Sequence, residues 1–174
     1  MSKRVAYFSC SGTTRRKAEQ LAERVGADLF EIRASEPYTS ADVRWWNPWS
    51  RCVKEHKDET CRPEIEALPN LSGVDEIWIG YPIWWYTHPR IIDTFFEQAD
   101  LEGKTVHLFA TSGGSGIEDS ESQLREAFPD IHIVDGKRLW ISTNPGDWLI
   151  PAWLEIEIWE KLIMQAVPDT EFMG

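Results

Sequence analysis

The chain is short of basic residues and of cysteine, and it has no long apolar run. Lysine and arginine number 18 against 29 aspartates and glutamates, a formal net charge of −11. Nucleic-acid binding needs clustered cations against phosphate, so the balance argues against that class. It reads either as solubility or as a negative face that docks a basic partner. The three cysteines, Cys10, Cys52 and Cys61, are odd in number and share no spacing. They make neither a disulfide framework nor a CxxC pair, which points to a reducing cytoplasm. No stretch approaches the roughly 20 apolar residues of a membrane span. The run Val5-Ala6-Tyr7-Phe8 is too short for the core of an export signal. Neither a Gly-Lys-Ser/Thr phosphate loop nor a G-x-G-x-x-G dinucleotide fingerprint is present, and no metal-ligating set is assigned. The sequence has no internal repeat, linker or low-complexity tract.

What is present suits a single domain over residues 1–174: 42% of residues are hydrophobic, enough for one sizeable core. Ten tryptophans are more than a core of this size calls for, and such rings also suit a flat aromatic ligand. The apolar period alternates between strand and helix. Val5–Phe8 reads as a buried strand. Ala18, Leu21, Ala22 and Val25 then share one helix face, which Gly26 can end. Leu29, Phe30 and Ile32 form a second strand. Ile77-Trp78-Ile79, ended by Gly80, is a third. Pro89 opens a helix buried through Ile91, Ile92, Phe95, Phe96 and Ala99. Thr105 to Ala110 is a fourth strand, followed by a helix through Leu124 and Phe128. Ile131 to Val134, or Arg138 to Ile141, supplies a fifth.

Two segments fit this alternation less cleanly. Trp45, Trp46, Trp49, Val53 and His56 have near-helical spacing, so a helix is expected there with the tryptophans in the core. Residues 142–151 read as a turn-rich loop, followed by an amphipathic helix through Trp153, Ile156, Trp159, Leu162, Ile163 and Ala166. Strand alternating with helix argues for an α/β fold, a doubly wound parallel sheet with helices on both faces.

In a parallel sheet the loops after the strands share one edge, and ligands bind there. The three most unusual segments are such loops. Ser9-Cys10-Ser11-Gly12-Thr13-Thr14 carries four hydroxyls and a glycine at a helix start, where bare amides and the helix dipole favour an anion. A single capping hydroxyl would serve an ordinary helix start, and four exceed that need. Pro82-Ile83-Trp84-Trp85-Tyr86 puts three aromatic rings on the rim, and stacking a flat heterocycle on one is worth roughly 1–3 kcal/mol. One of Trp84 and Trp85 is expected to cover the core, since neighbours in extended chain point opposite ways. Thr111-Ser112-Gly113-Gly114-Ser115-Gly116 leaves backbone amides open to close approach.

These motifs, in this order, resemble the flavodoxin family. Ser9-x-Ser11-Gly12-x-Thr14 is similar to its phosphate loop T-x-T-G-x-T, and the other two segments look like its two ring-binding loops. The likeness spans about residues 3–140. It implies five strands in the order 2-1-3-4-5, flavin mononucleotide (FMN) as cofactor, its phosphate at residues 9–14 and its ring between Pro82–Tyr86 and Thr111–Ser115. It also implies electron transfer with a redox partner protein, or alternatively an NAD(P)H-dependent FMN or quinone reductase. Thr13 stands where flavodoxins usually have Asn, and Tyr86 where similar proteins often have Gly. A carrier needs no catalytic acid or base, so none is assigned, and His88 reads as a solvated loop residue. Two rival readings remain. Cys10 to Arg16 is formally C-x5-R, the nucleophile loop of low-molecular-weight phosphatases, although Lys17 replaces the usual Ser and no Asp-Pro acid loop follows. A redox-inactive scaffold that recognises a partner is the other.

Overall fold

The computed structural model describes residues 2–140, so the expected loop over 142–151 and the helix through Trp153 to Ala166 lie outside the described residues, as does the rest of a domain reaching 174. Five strands and four helices alternate among the described residues: β1 (Ser2–Tyr7), α1 (Thr13–Val25), β2 (Asp28–Glu31), α2 (Arg51–Lys57), β3 (Val74–Pro82), α3 (Arg90–Gln98), β4 (Thr105–Ser112), α4 (Glu118–Ala127) and β5 (Ile133–Trp140). The strands form one parallel sheet in the order β2-β1-β3-β4-β5. The order reverses between β1 and β3, and a sheet built this way opens a crevice beyond the carboxyl ends of those strands.

Period-two alternation divides the side chains between the two faces. Ala6, Ile77, Ile79, Val106, Leu108 and Ala110 join Ile91, Ile92 and Phe95 of α3 and Leu124 of α4 in one buried cluster. Val5, Trp78 and Phe109, offset by one residue, are equally buried but stand outside that cluster, as do Ala18 and Leu21 of α1. Gly80 is where the second face is tightest. A Cβ built there would lie 2.0 Å from Phe109 Cζ, so only glycine lets the ring lie against β3.

The sequence expectations hold for the strands, with shifts at their ends. β3 runs past Gly80 to Pro82, and β4 runs past Ala110 to Ser112. The two candidate fifth strands prove to be parts of one, Ile133–Trp140. Pro89 does not open α3; it caps it with an extended ψ of 143°, and the helix starts at Arg90. The largest departure is the tryptophan segment. Residues 39–50 form successive turns and the helix begins only at Arg51. Pro48 lacks the N–H a helix needs and pushes Asn47 away from helical dihedrals. The Asn47 side chain instead accepts the Trp49 amide at 3.1 Å. Trp45, Trp46 and Trp49 are therefore not core residues; they are 67, 67 and 77% exposed.

One buried titratable cluster sits within the sheet. His107 of β4 bonds Asp135 of β5 through Nδ1 at 2.8 Å and Glu76 of β3 through Nε2 at 2.9 Å, with its ring stacked on Trp78. Burial opposes charge on His107, but the bonds to the two carboxylates and their charge outweigh it and raise its pKa above 6.5. Burial likewise opposes charge on Glu76, yet His107 and Lys3 hold it below 4.5. A raised histidine pKa stabilises the fold below the unfolded value and ceases to do so as pH rises through the folded one; a lowered carboxylate pKa stabilises above its unfolded value and ceases as pH falls through the folded one. The cluster thus contributes fully between about pH 4.5 and 6.5. In thermal melts, the advantage of the wild-type protein over His107→Gln should be largest near pH 5.5 and shrink steadily towards pH 9. An advantage that grows with pH would contradict this assignment.

Candidate functional site

The three loops named from the sequence meet at the carboxyl edge of β1, β3 and β4, and hydrogen bonds tie them together. Phe8 N donates to Gly80 O at 2.8 Å, joining the exits of β1 and β3. Ile83 N donates to Thr111 O at 3.0 Å, joining the exits of β3 and β4. The Thr14 and Thr111 hydroxyls lie 2.9 Å apart, linking the first loop directly to the third.

Gly12 precedes α1 with φ +83°, a left-handed turn that a side chain would strain, and open space surrounds the position where a Cβ would sit. No side chain caps the helix. The four hydroxyls therefore do not serve as ordinary caps. Ser9 Oγ accepts the Gly12 amide at 3.0 Å and the Ser11 and Thr13 hydroxyls lie 3.3 Å apart, while Thr14 is buried. The first amides of α1 lack intrahelical partners, and with the dipole behind them they form a site suited to an anion.

The second and third loops border a cavity of about 330 Å³, within the roughly 300–1,000 Å³ typical of small-molecule pockets. Ile83, Trp84, Trp85 and Tyr86 line it from the second loop, and Ser115 from the third. Val43, Trp45 and Cys52 close it from the segment before and within α2, and no lysine or arginine lines it. These last three residues were not legible as site residues, because nothing in their local pattern points at a loop 40 residues away. Thr111 and Ser112 end β4, and Ser112 Oγ accepts the Gly114 amide at 3.1 Å, so one of the amides expected to be bare is engaged. Gly113 is exposed, and the Arg138 guanidinium donates to Gly114 O.

The second loop is not extended. Trp84 and Thr87 exchange both backbone hydrogen bonds, at 2.8 and 3.1 Å, around a two-residue turn. Trp85 and Tyr86 at its centre have φ of +46° and +68°. Positive φ at both central positions marks a type I′ hairpin turn, which normally takes Asn-Gly or a similar pair. Non-glycine residues held in such strained dihedrals cost of the order of 1–3 kcal/mol each. Tyr86 thus stands at a position whose backbone favours glycine. One of the two tryptophans does cover the core, as expected, although the turn rather than extended chain separates them. Trp84 packs edge-on against Phe8 and Tyr38, with centroids 6.0 and 5.9 Å away, while Trp85 stacks on His56 of α2 at 4.8 Å. Tyr38 is in turn pinned by its bond to Glu55 and by the Arg51 guanidinium over its ring. Tyr86 is 65% exposed.

His88 is a correction to the sequence reading: it is buried, at 3% exposure, with both ring nitrogens engaged. Its ring is bonded to Asp93 of α3 and faces Ser120 of α4, which takes it out of water. No local signal reports this, since its partners Asp93 and Ser120 lie 5 and 32 residues away.

The family model for flavodoxin matches residues 2–156. The chain belongs to the flavodoxin family. Two solved structures of proteins described as flavoproteins bear this out. One, from Bacteroides eggerthii, is 43% identical, with 94% of this chain and 98% of that one covered and a TM-score of 0.80. The other, from Bacteroides uniformis, is 39% identical over 92% and 97%, with a TM-score of 0.81. A Lactobacillus acidophilus flavoprotein in complex with FMN shares the fold at 23% identity, covering 79% of this chain and 92% of that one, with a TM-score of 0.66. None of the curated proteins matches the chain.

Within this flavodoxin-family chain the phosphatase reading loses its physical basis. Desolvation first, then Cys52 and Glu55, push the Cys10 thiol well above its ordinary value. Cys10 keeps contact with solvent, which tempers the push, but its direction is opposite to that of an activated thiolate. Hydrolysis of p-nitrophenyl phosphate should therefore be the same for wild type and Cys10→Ser, at the background rate. A rate abolished by that substitution would restore the thiol as a nucleophile.

Proposed function

We propose that this chain binds FMN without a covalent link and acts in electron transfer. The observation that carries the reading is the shared rim: an uncapped, glycine-opened helix start and the loops that line an aromatic cavity lie on one sheet edge, tied together through Thr14, Thr111 and Ile83. The residues present fit the cofactor. Ser9, Cys10, Ser11, Gly12, Thr13 and Thr14 would hold a dianionic phosphate through backbone amides and hydroxyls. Pro82, Ile83, Trp84, Trp85 and Tyr86, with Thr111, Ser112, Gly113, Gly114 and Ser115, would hold the ring. FMN, when bound, supplies the one- and two-electron redox chemistry, and the protein supplies orientation and electrostatics.

The chain's own residues bias that chemistry. A cavity walled by Trp84, Trp85 and Tyr86 and free of lysine and arginine solvates added negative charge poorly, and the net charge of −11 opposes it further. Both favour a low potential. Trp85 and Tyr86 occupy space that a nicotinamide or quinone over the ring would need, which supports a carrier working with a redox partner protein over an NAD(P)H-dependent reductase. The free thiols of Cys10, Cys52 and Cys61 suit a reducing cytoplasm. No helix among the described residues is long and apolar enough to cross a membrane.

The purified protein should be yellow and release FMN. Gly12→Asp sets a carboxylate and a strained backbone at the phosphate site, so it should weaken FMN far more than riboflavin, which has no phosphate. Equal losses for the two ligands would refute the placement of the phosphate. Anaerobic mixing of holoprotein with NADPH should leave the flavin colour unchanged until a reductase protein is added; immediate bleaching would establish the reductase instead.

A further inference from the structure

The strained turn of the second loop is followed at once by a buried polar cluster. His88 Nε2 donates to Asp93 Oδ1 at 2.9 Å, and Nδ1 lies 3.0 Å from Ser120 Oγ, which is itself 3.0 Å from Tyr81 Oη. His88, Asp93, Ser120 and Tyr81 are 3, 5, 0 and 0% exposed. The set has the composition of a hydrolytic Ser-His-Asp triad, but a serine with no exposed surface meets no substrate, so that use is ruled out. Its position suggests another. Thr87, which closes the turn, donates its hydroxyl to Gln123 Oε1 at 2.6 Å. Tyr86 is thus followed by two consecutive residues fastened to α3 and α4.

The other side of the turn is fastened as well. The Trp85 ring stacks on His56, and Arg90 reaches both sides, with Nη1 3.6 Å from Asp93 Oδ2 and Nη2 donating to His56 O at 3.4 Å. Asp93 Oδ2 accepts no hydrogen bond within the described residues, so this carboxylate is committed to His88 and Arg90. One connected set of contacts therefore runs from Tyr81 through Ser120, His88, Asp93 and Arg90 to the residue under Trp85. The linked hydrogen bonds of His88, Asp93 Oδ1 and Ser120 favour one geometry, although Arg90 Nε and Asp93 Oδ2 in the same set make no hydrogen bond among the described residues.

We propose that His88 is a positioning residue for the cavity: through Asp93 and Ser120 it holds Tyr86 in left-handed backbone that would otherwise relax, and so keeps the cavity wall in its binding shape. The inference rests on the FMN reading, in that Trp85 and Tyr86 wall the ring site. It is distinct from mere filling of space beneath the loop, because it couples His88 to the dihedrals of Tyr86.

That coupling is what a double-mutant cycle reads. Glycine takes φ +68° at no steric cost, so Tyr86→Gly should make the clamp unnecessary. His88→Ala should weaken FMN binding roughly tenfold in the Tyr86 protein, the scale on which releasing one strained residue acts. In the Tyr86→Gly background the same substitution should cost no more than about twofold, and His88→Gln, which keeps a donor for Asp93, should recover most of the loss. Equal loss in both backgrounds, or no loss in either, overturns the proposal. If His88→Ala does not fold, Asp93→Asn takes its place in the cycle with the same expectations. A second readout needs no flavin. The Thr87 amide, bonded to Trp84 O, should exchange with solvent faster in apo His88→Ala and return towards the wild-type rate in the double variant. Unchanged exchange overturns the clamp even where FMN binds. A wild-type protein that refuses FMN overturns the functional reading, and the exchange experiment then decides the clamp alone.

Discussion

Parallel pairing of β1, β3 and β4 is the constraint on which the rest of this molecule depends. Parallel strands all exit on one edge, so three loops far apart in the sequence, at residues 9–14, 82–86 and 111–116, have no choice but to share it. The register makes this concrete: Tyr7 faces Gly80 and Pro82 faces Thr111 across the ladders, which brings the exits of β1, β3 and β4 into line. The hydrogen bonds from Phe8 to Gly80 and from Ile83 to Thr111 continue that alignment past the ends of the strands. The sheet order then reverses at β1 and β3. A site for an anion and a site for a flat ring come to share one crevice by topology, before any side chain is chosen.

Side-chain choice decides how that crevice is shaped. The turn at Trp85 and Tyr86 stands out because it spends stability on dihedrals that L-residues avoid. Such strain persists only where surroundings over-determine it. Here they include the His56 stack beneath Trp85, the Phe8–Tyr38–Trp84 ring cluster, and the buried bonds of Thr87 and His88. These contacts tie the loop to α2, to the segments after β1 and β2, and to α3 and α4. The same turn leaves Tyr86 largely in solvent while it lines the cavity together with Trp45.

The exposed tryptophans follow from a short stretch of backbone chemistry. Pro48 and the Asn47 side chain break the helical spacing of residues 45–56, so the apolar face that the spacing implies never assembles. Trp45 and Trp46 pack edge-to-face on each other instead, with centroids 5.8 Å apart. Only Trp45 of the three borders the cavity. Their placement converts residues read as core into surface.

Much of this architecture was written in the sequence. The apolar periods of Val5–Phe8, Ile77–Ile79 and Thr105–Ala110 and of the α1 and α3 faces are local properties, so strand, helix and alternation could be read directly. The hydroxyl-rich first loop and the glycine-rich third were legible for the same reason, since residue type alone limits what backbone and hydrogen bonding can do there. What only the tertiary structure decided are the relations between distant residues. That His88 is buried depends on Asp93 and Ser120 arriving from two helices. That Val43, Trp45 and Cys52 wall the cavity depends on how α2 packs against the second loop. That Trp85 and Tyr86 adopt left-handed backbone depends on anchors on both sides of them. Local composition encodes the energy of each residue with its neighbours in the chain; the energy of contacts between remote segments exists only once the sheet has brought them together.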